Sequence, residues 1–253
     1  MSVGQAVIFV VGAAVIVGGL LAVIWPGRRQ GLRVLTRWGV DDPGRTEVTD
    51  AVRYLKRRRL WCPWMFIAGS ALVSSRGDTG AWAATQTLLS ALVLGALVAE
   101  VVAQRPSRGL RRAAALAHRR IGDLVSVWSF AAAAILVVAV VGVSGLAMAG
   151  VEWARRLQPD PGPVLVGALA VSAIGAGIVW LTVRRPAVGE PRADNALRLR
   201  SARVGVGLTM ATLGILFSVG GSTTGQFVAG AGVLCWIATV NPPRDLRQAV
   251  VQA

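Results

Sequence analysis

Residues 124 to 150 read LVSVWSFAAAAILVVAVVGVSGLAMAG and carry no charged side chain. A helix of about 20 apolar residues is long enough to cross a hydrocarbon core of about 30 Å. Residues 124–150 exceed that length, so they are predicted to form a transmembrane helix. The chain as a whole fits this prediction, because 54% of its residues are hydrophobic and its mean hydropathy is +0.60.

Six further apolar stretches are separated by polar or basic segments. They are residues 4–25, 60–75, 81–103, 163–183, 204–221 and 225–240. Together with residues 124–150 they predict an all-α fold, a polytopic transmembrane bundle of about seven spans that forms one domain over residues 1–253. The first stretch has no basic segment before it and no A-x-A cleavage site, so it is interpreted as a retained helix and not as a signal peptide.

The distribution of basic residues sets the predicted orientation. With seven spans, 24 of the 27 Arg and Lys residues fall on one side, and only Arg76, Arg155 and Arg156 fall on the other. Basic residues mark the cytoplasmic side, so the N-terminus is predicted outside and the C-terminus in the cytoplasm of a bacterial cell. The order is then three out-in-out hairpins and a final helix. A re-entrant pair over residues 204–240 stays open as an alternative, because only Arg244 and Arg247 depend on those spans.

The first cytoplasmic loop has a pattern of its own. Thr46 can cap a helix that carries Val48, Val52 and Leu55 on one face and basic residues toward its end. This pattern predicts an amphipathic helix over residues 46–59 that lies at the membrane surface before the second span.

The basic loops are the clearest candidates for a binding role. A cluster of Arg and Lys next to a span attracts anionic lipid headgroups, and it can equally dock an acidic membrane or cytoplasmic protein. The candidate residues are Arg53, Lys56, Arg57, Arg58, Arg59, Arg105, Arg112, Arg185 and Arg192. The alternative is that these residues only fix the topology. No nucleic-acid partner is expected, although the net charge is +15, because the basic residues lie between apolar runs.

Acidic residues fall near the predicted span ends. Glu100, Asp123 and Glu152 are each expected to be hydrated there, and Glu100 can pair with Arg105 within about one helical turn. Two cytoplasmic loops also share a pattern at an offset of 80 residues, R-P-x-x-G-x-x-R-A over residues 105–113 and again over residues 185–193. This similarity leaves an internal duplication open.

The residue inventory argues against most enzyme classes. His118 is the only histidine, and it falls in a basic loop, so no serine–histidine pair is expected within the bilayer. No zinc, haem or nucleotide motif is visible, and no cofactor or metal is predicted. The sequence favours a non-enzymatic anchoring, scaffolding or regulatory membrane component. The alternatives are a transporter or permease subunit for a neutral or lipidic substrate, a membrane transferase that uses Arg and Asp at the cytoplasmic face, and a sensor.

Two segments carry a resemblance to known proteins. They are residues 38–59, with Trp38-Gly39-Val40, Pro43, Ala51-Val52-Arg53-Tyr54-Leu55 and Arg57-Arg58-Arg59, and the loop of residues 105–113. They resemble uncharacterised multi-pass membrane proteins of actinobacteria. The resemblance implies a membrane location and transfers no catalytic or binding residue.

Overall fold

The structure is a computed structural model that describes residues 19, 25–75, 81–104, 112–113, 121–184, 187–188 and 190–241. Its helices are α1 (Arg28–Arg37), α2 (Arg45–Ser75), α3 (Ala81–Ala103), α4 (Ile121–Leu124), α5 (Val127–Met148), α6 (Glu152–Leu157), α7 (Pro161–Arg184), α8 (Pro191–Phe217) and α9 (Thr223–Val240). A 3-10 turn, Ser218–Gly220, links the last two helices. Strands β1 (Arg112–Ala113) and β2 (Ala187–Val188) form a short antiparallel pair. The described part of the chain is therefore helical almost throughout, as predicted.

Three described helices, α5, α7 and α9, are long and apolar enough to cross a membrane. Their outer faces expose large apolar side chains: Trp128 is 84% exposed, Val138 71% and Phe227 75%. Apolar faces of this kind are costly in water and favourable in lipid. The three helices therefore suggest membrane association.

Helix α8 lies at the centre of the bundle and packs against α2, α3, α5, α7 and α9. Nearly every residue from Ala193 to Phe217 is buried. This helix is less apolar than α5 or α7 because its first half carries four arginines and Asp194. Small residues in its second half let its neighbours come close. At Gly214 an added Cβ would lie 2.8 Å from the Val228 carbonyl oxygen, and at Gly232 it would lie 2.6 Å from that of Met210. Glycine at these two positions therefore lets the backbones of α8 and α9 approach closely.

The predicted spans map onto the structure in different ways. Residues 81–103 coincide with α3, and the spans predicted over residues 124–150, 163–183 and 225–240 correspond to α5, α7 and α9. The span predicted over residues 204–221 is the second half of α8 with the 3-10 turn, and residues 60–75 are the second half of α2. Residues 4–25 lie outside the described residues, apart from Gly19 and Trp25. Since three helices meet the length and composition of a span, the number seven stays a prediction.

The predicted surface helix differs from the observed one. Residues 46–59 are helical, but they continue without a break into residues 60–75 as the single helix α2. Val48 and Leu55 are buried in a cluster with Leu35 of α1 and Leu197 of α8. The apolar face of this segment is thus covered by protein and does not face a membrane surface. The sequence could not indicate this, because an apolar stripe is the same whether lipid or another helix covers it.

Long-range hydrogen bonds connect the chain segments at one end of the bundle. Arg37 donates a hydrogen bond to Asn241 Oδ1, Arg192 Nη2 donates to the Asp41 carbonyl at 2.9 Å, and Arg203 Nε donates to the Leu124 carbonyl at 3.3 Å. All of these residues lie in or next to segments that the sequence assigns to the cytoplasmic side. We refer to this end as the basic end.

The two similar loops are not structural copies at the positions that can be compared. Arg112-Ala113 is extended and pairs with Ala187-Val188, whereas Arg192-Ala193 belongs to the first turn of α8. The loops contact each other, and their matching residues adopt different structures. The structure therefore gives the duplication no support at this point.

Candidate functional site

A buried carboxylate joins three helices at the basic end. Glu100, near the end of α3, has no exposed surface. Its Oε1 accepts hydrogen bonds from the hydroxyls of Tyr54 in α2 and Ser201 in α8. Its Oε2 lies 2.9 Å from Arg58 Nε, also in α2. We call Tyr54, Arg58, Glu100, Arg200 and Ser201 the Glu100 centre.

Arg200 completes this centre from the side of Tyr54. Its Nη1 donates to the Tyr54 hydroxyl at 2.7 Å, and its guanidinium lies 5.3 Å from the centre of the Tyr54 ring. Burial, followed by the nearby Glu100 charge, raises the pKa of Tyr54 to about 12, while Arg200 and Arg58 act in the opposite direction. Tyr54 therefore stays protonated at physiological pH, and its hydroxyl remains a donor to Glu100.

The sequence predicted the wrong environment for the Glu100 side chain. It indicated a hydrated carboxylate that can pair with Arg105, whereas the carboxylate is buried and pairs with Arg58, 42 positions away in sequence. Arg105 lies outside the described residues. Helix packing explains the difference: Tyr54 and Arg58 are one turn apart on α2, so both side chains reach the α3 residue that packs beside them.

A second buried ion pair lies in the first half of α8. Arg198 Nε is 2.6 Å from Asp194 Oδ2, and both side chains are almost fully buried. Arg198 Nη1 also donates to the Thr182 carbonyl at 3.0 Å, near the C-terminal end of α7. A cation is favourable at a helix C-terminus, where carbonyl groups lack helical partners. Arg198 therefore fastens α8 to the end of α7.

Helix α1 presents an exposed basic face. Arg28, Arg29 and Arg33 are exposed. Arg29 and Arg33 are one turn apart and lie opposite the buried Gly31 and Leu35, whereas Arg28 is the first residue of the helix. Among the described residues, no carboxylate pairs with these three arginines. We call Arg28, Arg29 and Arg33 the α1 basic face. It begins three residues after Trp25, which is exposed and carries Lys56 Nζ 5.5 Å from its ring centre.

The predicted lipid-contact residues fall into several groups. Arg53 is exposed and pairs with Asp50 at 2.8 Å, and Lys56 lies over Trp25. Arg58 belongs to the Glu100 centre, and Arg192 holds the Asp41 carbonyl. Arg57 and Arg59 are partly buried and have partners of their own. Arg105 and Arg185 lie outside the described residues, and Arg112 is described only as part of strand β1.

The sequence interpretation did not single out Arg28, Arg29 or Arg33. A signal was present, because Arg29 and Arg33 are four residues apart, while Gly31 and Leu35 are also four apart and lie on the opposite face. That spacing indicates an amphipathic helix with a basic side. Arg58 showed no such signal, since nothing in the sequence separates it from its basic neighbours.

An open groove with a volume of about 720 Å³ lies between α5 and α7, and α8 forms its base. It is lined by four residues of α5 between Phe130 and Val137, by seven residues of α7 from Ser172 to Arg184, and by Val206 and Thr209 on α8. The hydroxyls of Ser172 and Thr209 bond back to carbonyls of their own helices, at 2.7 and 2.9 Å. The groove therefore offers hydrocarbon surface along its length, with Arg184 at one end.

The described residues contain no group of three His, Cys, Asp or Glu side chains that could hold a metal ion. The expectation that no cofactor is used stays a prediction. Comparisons of the chain with models of known protein families, with curated proteins and with solved structures give no match. The resemblance to actinobacterial membrane proteins likewise stays a prediction.

Proposed function

We propose that this chain is a seven-span protein of the bacterial cell membrane that works without catalysis, as an anchoring or regulatory component. It has its N-terminus outside and its C-terminus in the cytoplasm. The basic end faces the cytoplasm, and the α1 basic face holds anionic lipid headgroups. The observation that carries the proposal is this face. Its three arginines are exposed and have no carboxylate partner among the described residues, and the helix that bears them is packed against the protein through Gly31 and Leu35.

The placement of α1 supports contact with headgroups. The helix follows Trp25, and exposed Trp61 and Trp64 begin the second half of α2. Tryptophan side chains are enriched where hydrocarbon meets headgroups, so these residues set the height of α1 at the membrane surface. Arginines at that height attract anionic lipid by about 1 kcal/mol each.

The Glu100 centre supports a role without catalysis. Its carboxylate accepts hydrogen bonds from Tyr54 and Ser201, forms an ion pair with Arg58 and has no exposed surface. A carboxylate that is fully enclosed and already bonded cannot reach a substrate without an opening of the helices around it. We therefore assign the Glu100 centre to holding α2, α3 and α8 together.

The orientation can be tested with single cysteines in a variant that lacks Cys62 and Cys235. Thr36 on α1 and Asp160 before α7 are both exposed and lie at opposite ends of the bundle. In intact cells we expect a membrane-impermeant thiol reagent to label Asp160→Cys and to spare Thr36→Cys until the cells are opened. Labelling of both positions in intact cells would contradict the seven-span arrangement.

Lipid binding can be tested with a matched pair of variants. Arg33 has no carboxylate partner among the described residues, whereas Arg53 pairs with Asp50. In detergent, we expect Arg33→Gln to weaken binding of dioctanoylphosphatidylglycerol about fivefold, because one headgroup contact of about 1 kcal/mol is lost. Arg53→Gln should change binding less than twofold. The triple variant Arg28→Gln, Arg29→Gln, Arg33→Gln should weaken it at least tenfold.

Two results would count against the α1 basic face as a lipid contact. One is equal binding of dioctanoylphosphatidylcholine and dioctanoylphosphatidylglycerol by the wild-type protein. The other is an acidic protein that co-purifies in a one-to-one ratio and is lost from the triple variant while lipid binding is unchanged. The second result would assign the face to a protein partner.

A further inference from the structure

The groove between α5 and α7 has about the length of one acyl chain of a lipid. The α7 residues that line it run from Ser172 to Arg184, a distance of about 18 Å at the helical rise of about 1.5 Å per residue. One leaflet of a bilayer has a hydrocarbon depth of about 15 Å, half the core thickness. The groove therefore covers one leaflet and ends near the headgroup level.

All three helices place the groove in the same half of the bundle. It takes in the first part of α5, the last part of α7 and Val206 and Thr209 of α8, which follow closely on Arg200 and Arg203. On α5 and α7 these parts are the halves next to the basic end, and on α8 the two residues lie at the start of the span predicted over residues 204–221. In the proposed orientation, on which this inference rests, the groove opens into the cytoplasmic leaflet.

The chemistry of the groove selects an amphiphile with a negative head. The walls are apolar, and the two hydroxyls among them are already bonded within their own helices. Arg184 is exposed at the end of the groove, and among the described residues no carboxylate pairs with it. Its guanidinium lies 5.5 Å from the ring centre of Trp180, which also lines the groove. This contact holds the charge beside the groove opening.

We propose that this groove is a binding site for one anionic phospholipid of the cytoplasmic leaflet. An acyl chain lies along α7 between Ser172 and Trp180, and the phosphate pairs with Arg184. Anionic lipids are concentrated in that leaflet, and a guanidinium pairs well with a phosphate because its donors match two phosphate oxygens. The site is separate from the α1 basic face and shares no residue with it.

Native mass spectrometry of the delipidated full-length protein can count the lipid. Dioleoylphosphatidylglycerol or dioleoylphosphatidylcholine is added back, and the first bound lipid is measured. We expect the wild-type protein to hold one dioleoylphosphatidylglycerol at a concentration about fivefold lower than it needs for dioleoylphosphatidylcholine. Arg184→Gln should remove this preference.

Filling the groove should remove the bound lipid. Ala176 is exposed and lines the groove, whereas Ala170 is exposed on the same helix outside it. We expect Ala176→Phe to lose the first lipid and Ala170→Phe to keep it. Ala134→Phe, with Ala139→Phe as its control on α5, repeats the comparison should the Ala176 variant not fold.

The proposal is overturned if the wild-type protein binds the two lipids equally, or if both groove-filling variants keep the first lipid. The triple variant of the α1 basic face separates this site from the proposed function. If that variant still holds the first dioleoylphosphatidylglycerol but has lost dioctanoylphosphatidylglycerol binding, both sites are supported. If it keeps both, the α1 assignment fails and the groove stands.

Discussion

Replacing Glu100 with alanine is expected to destabilise the protein by about 3–5 kcal/mol, because it leaves buried donors without their acceptor. Tyr54 and Ser201 lose the oxygen to which they donate, and Arg58 loses its counter-ion at 2.9 Å. For a chain of this size, the loss corresponds to a decrease in the melting temperature of about 6 °C or more. Thermal unfolding in detergent, followed by tryptophan fluorescence, measures it.

The control for this variant is an arginine–carboxylate pair at the surface. Arg53 and Asp50 are 2.8 Å apart, but both side chains are partly exposed. Arg53→Ala should therefore change stability by no more than about 1 kcal/mol. Glu100→Gln, which keeps an acceptor for the two hydroxyls and loses the charge, should fall between Glu100→Ala and the wild-type protein. A melting temperature for Glu100→Ala equal to that of Arg53→Ala would show that the Glu100 centre does not hold the helices together.

The second large effect is expected at the other buried pair. Asp194→Ala leaves the Arg198 guanidinium buried without the carboxylate that lies 2.6 Å from it, at an expected cost of about 3–5 kcal/mol. Arg198 Nη1 would still reach the Thr182 carbonyl at 3.0 Å, but a carbonyl does not neutralise a full charge. Urea or SDS titration of the purified protein gives the free energy.

A double variant separates the cost of an unpaired charge from the value of the pair itself. Asp194→Leu combined with Arg198→Met removes both charges and keeps apolar volume at both positions. Replacement of a buried ion pair by apolar residues is often close to neutral, so the double variant should recover at least half of the loss. A double variant as unstable as Asp194→Ala would mean that the pair, and not the isolated arginine, determines the stability of this region.

Several helices could be predicted from local properties of the sequence. Residues 81–103 are predicted as one apolar run, and α3 occupies Ala81–Ala103. The run over residues 163–183 is observed as α7, Pro161–Arg184, and the run over residues 225–240 as α9, Thr223–Val240. Length and apolar composition fix such helices because every backbone polar group is satisfied within the helix itself.

The function of particular arginines could not be predicted in this way. Arg58 and Arg59 are adjacent, and no sequence pattern distinguishes them. Arg58 nevertheless neutralises a buried carboxylate of another helix. The groove between α5 and α7 also has no sequence pattern, since Ala133 and Ala176 line it while similar alanines elsewhere do not. Both depend on which helices are neighbours, and that is a property of the packed bundle.

The sequence by itself thus determined where α3, α5, α7 and α9 lie, because apolar length is a local quantity. The side of the membrane on which the basic residues lie stays a prediction. The tertiary structure decided that α8 is the central helix, that residues 46–59 are covered by protein, and that Glu100 meets Tyr54, Arg58 and Ser201. The contacts of Glu100 join residues more than 40 positions apart, and close packing of side chains selects such pairs only when the helices assemble.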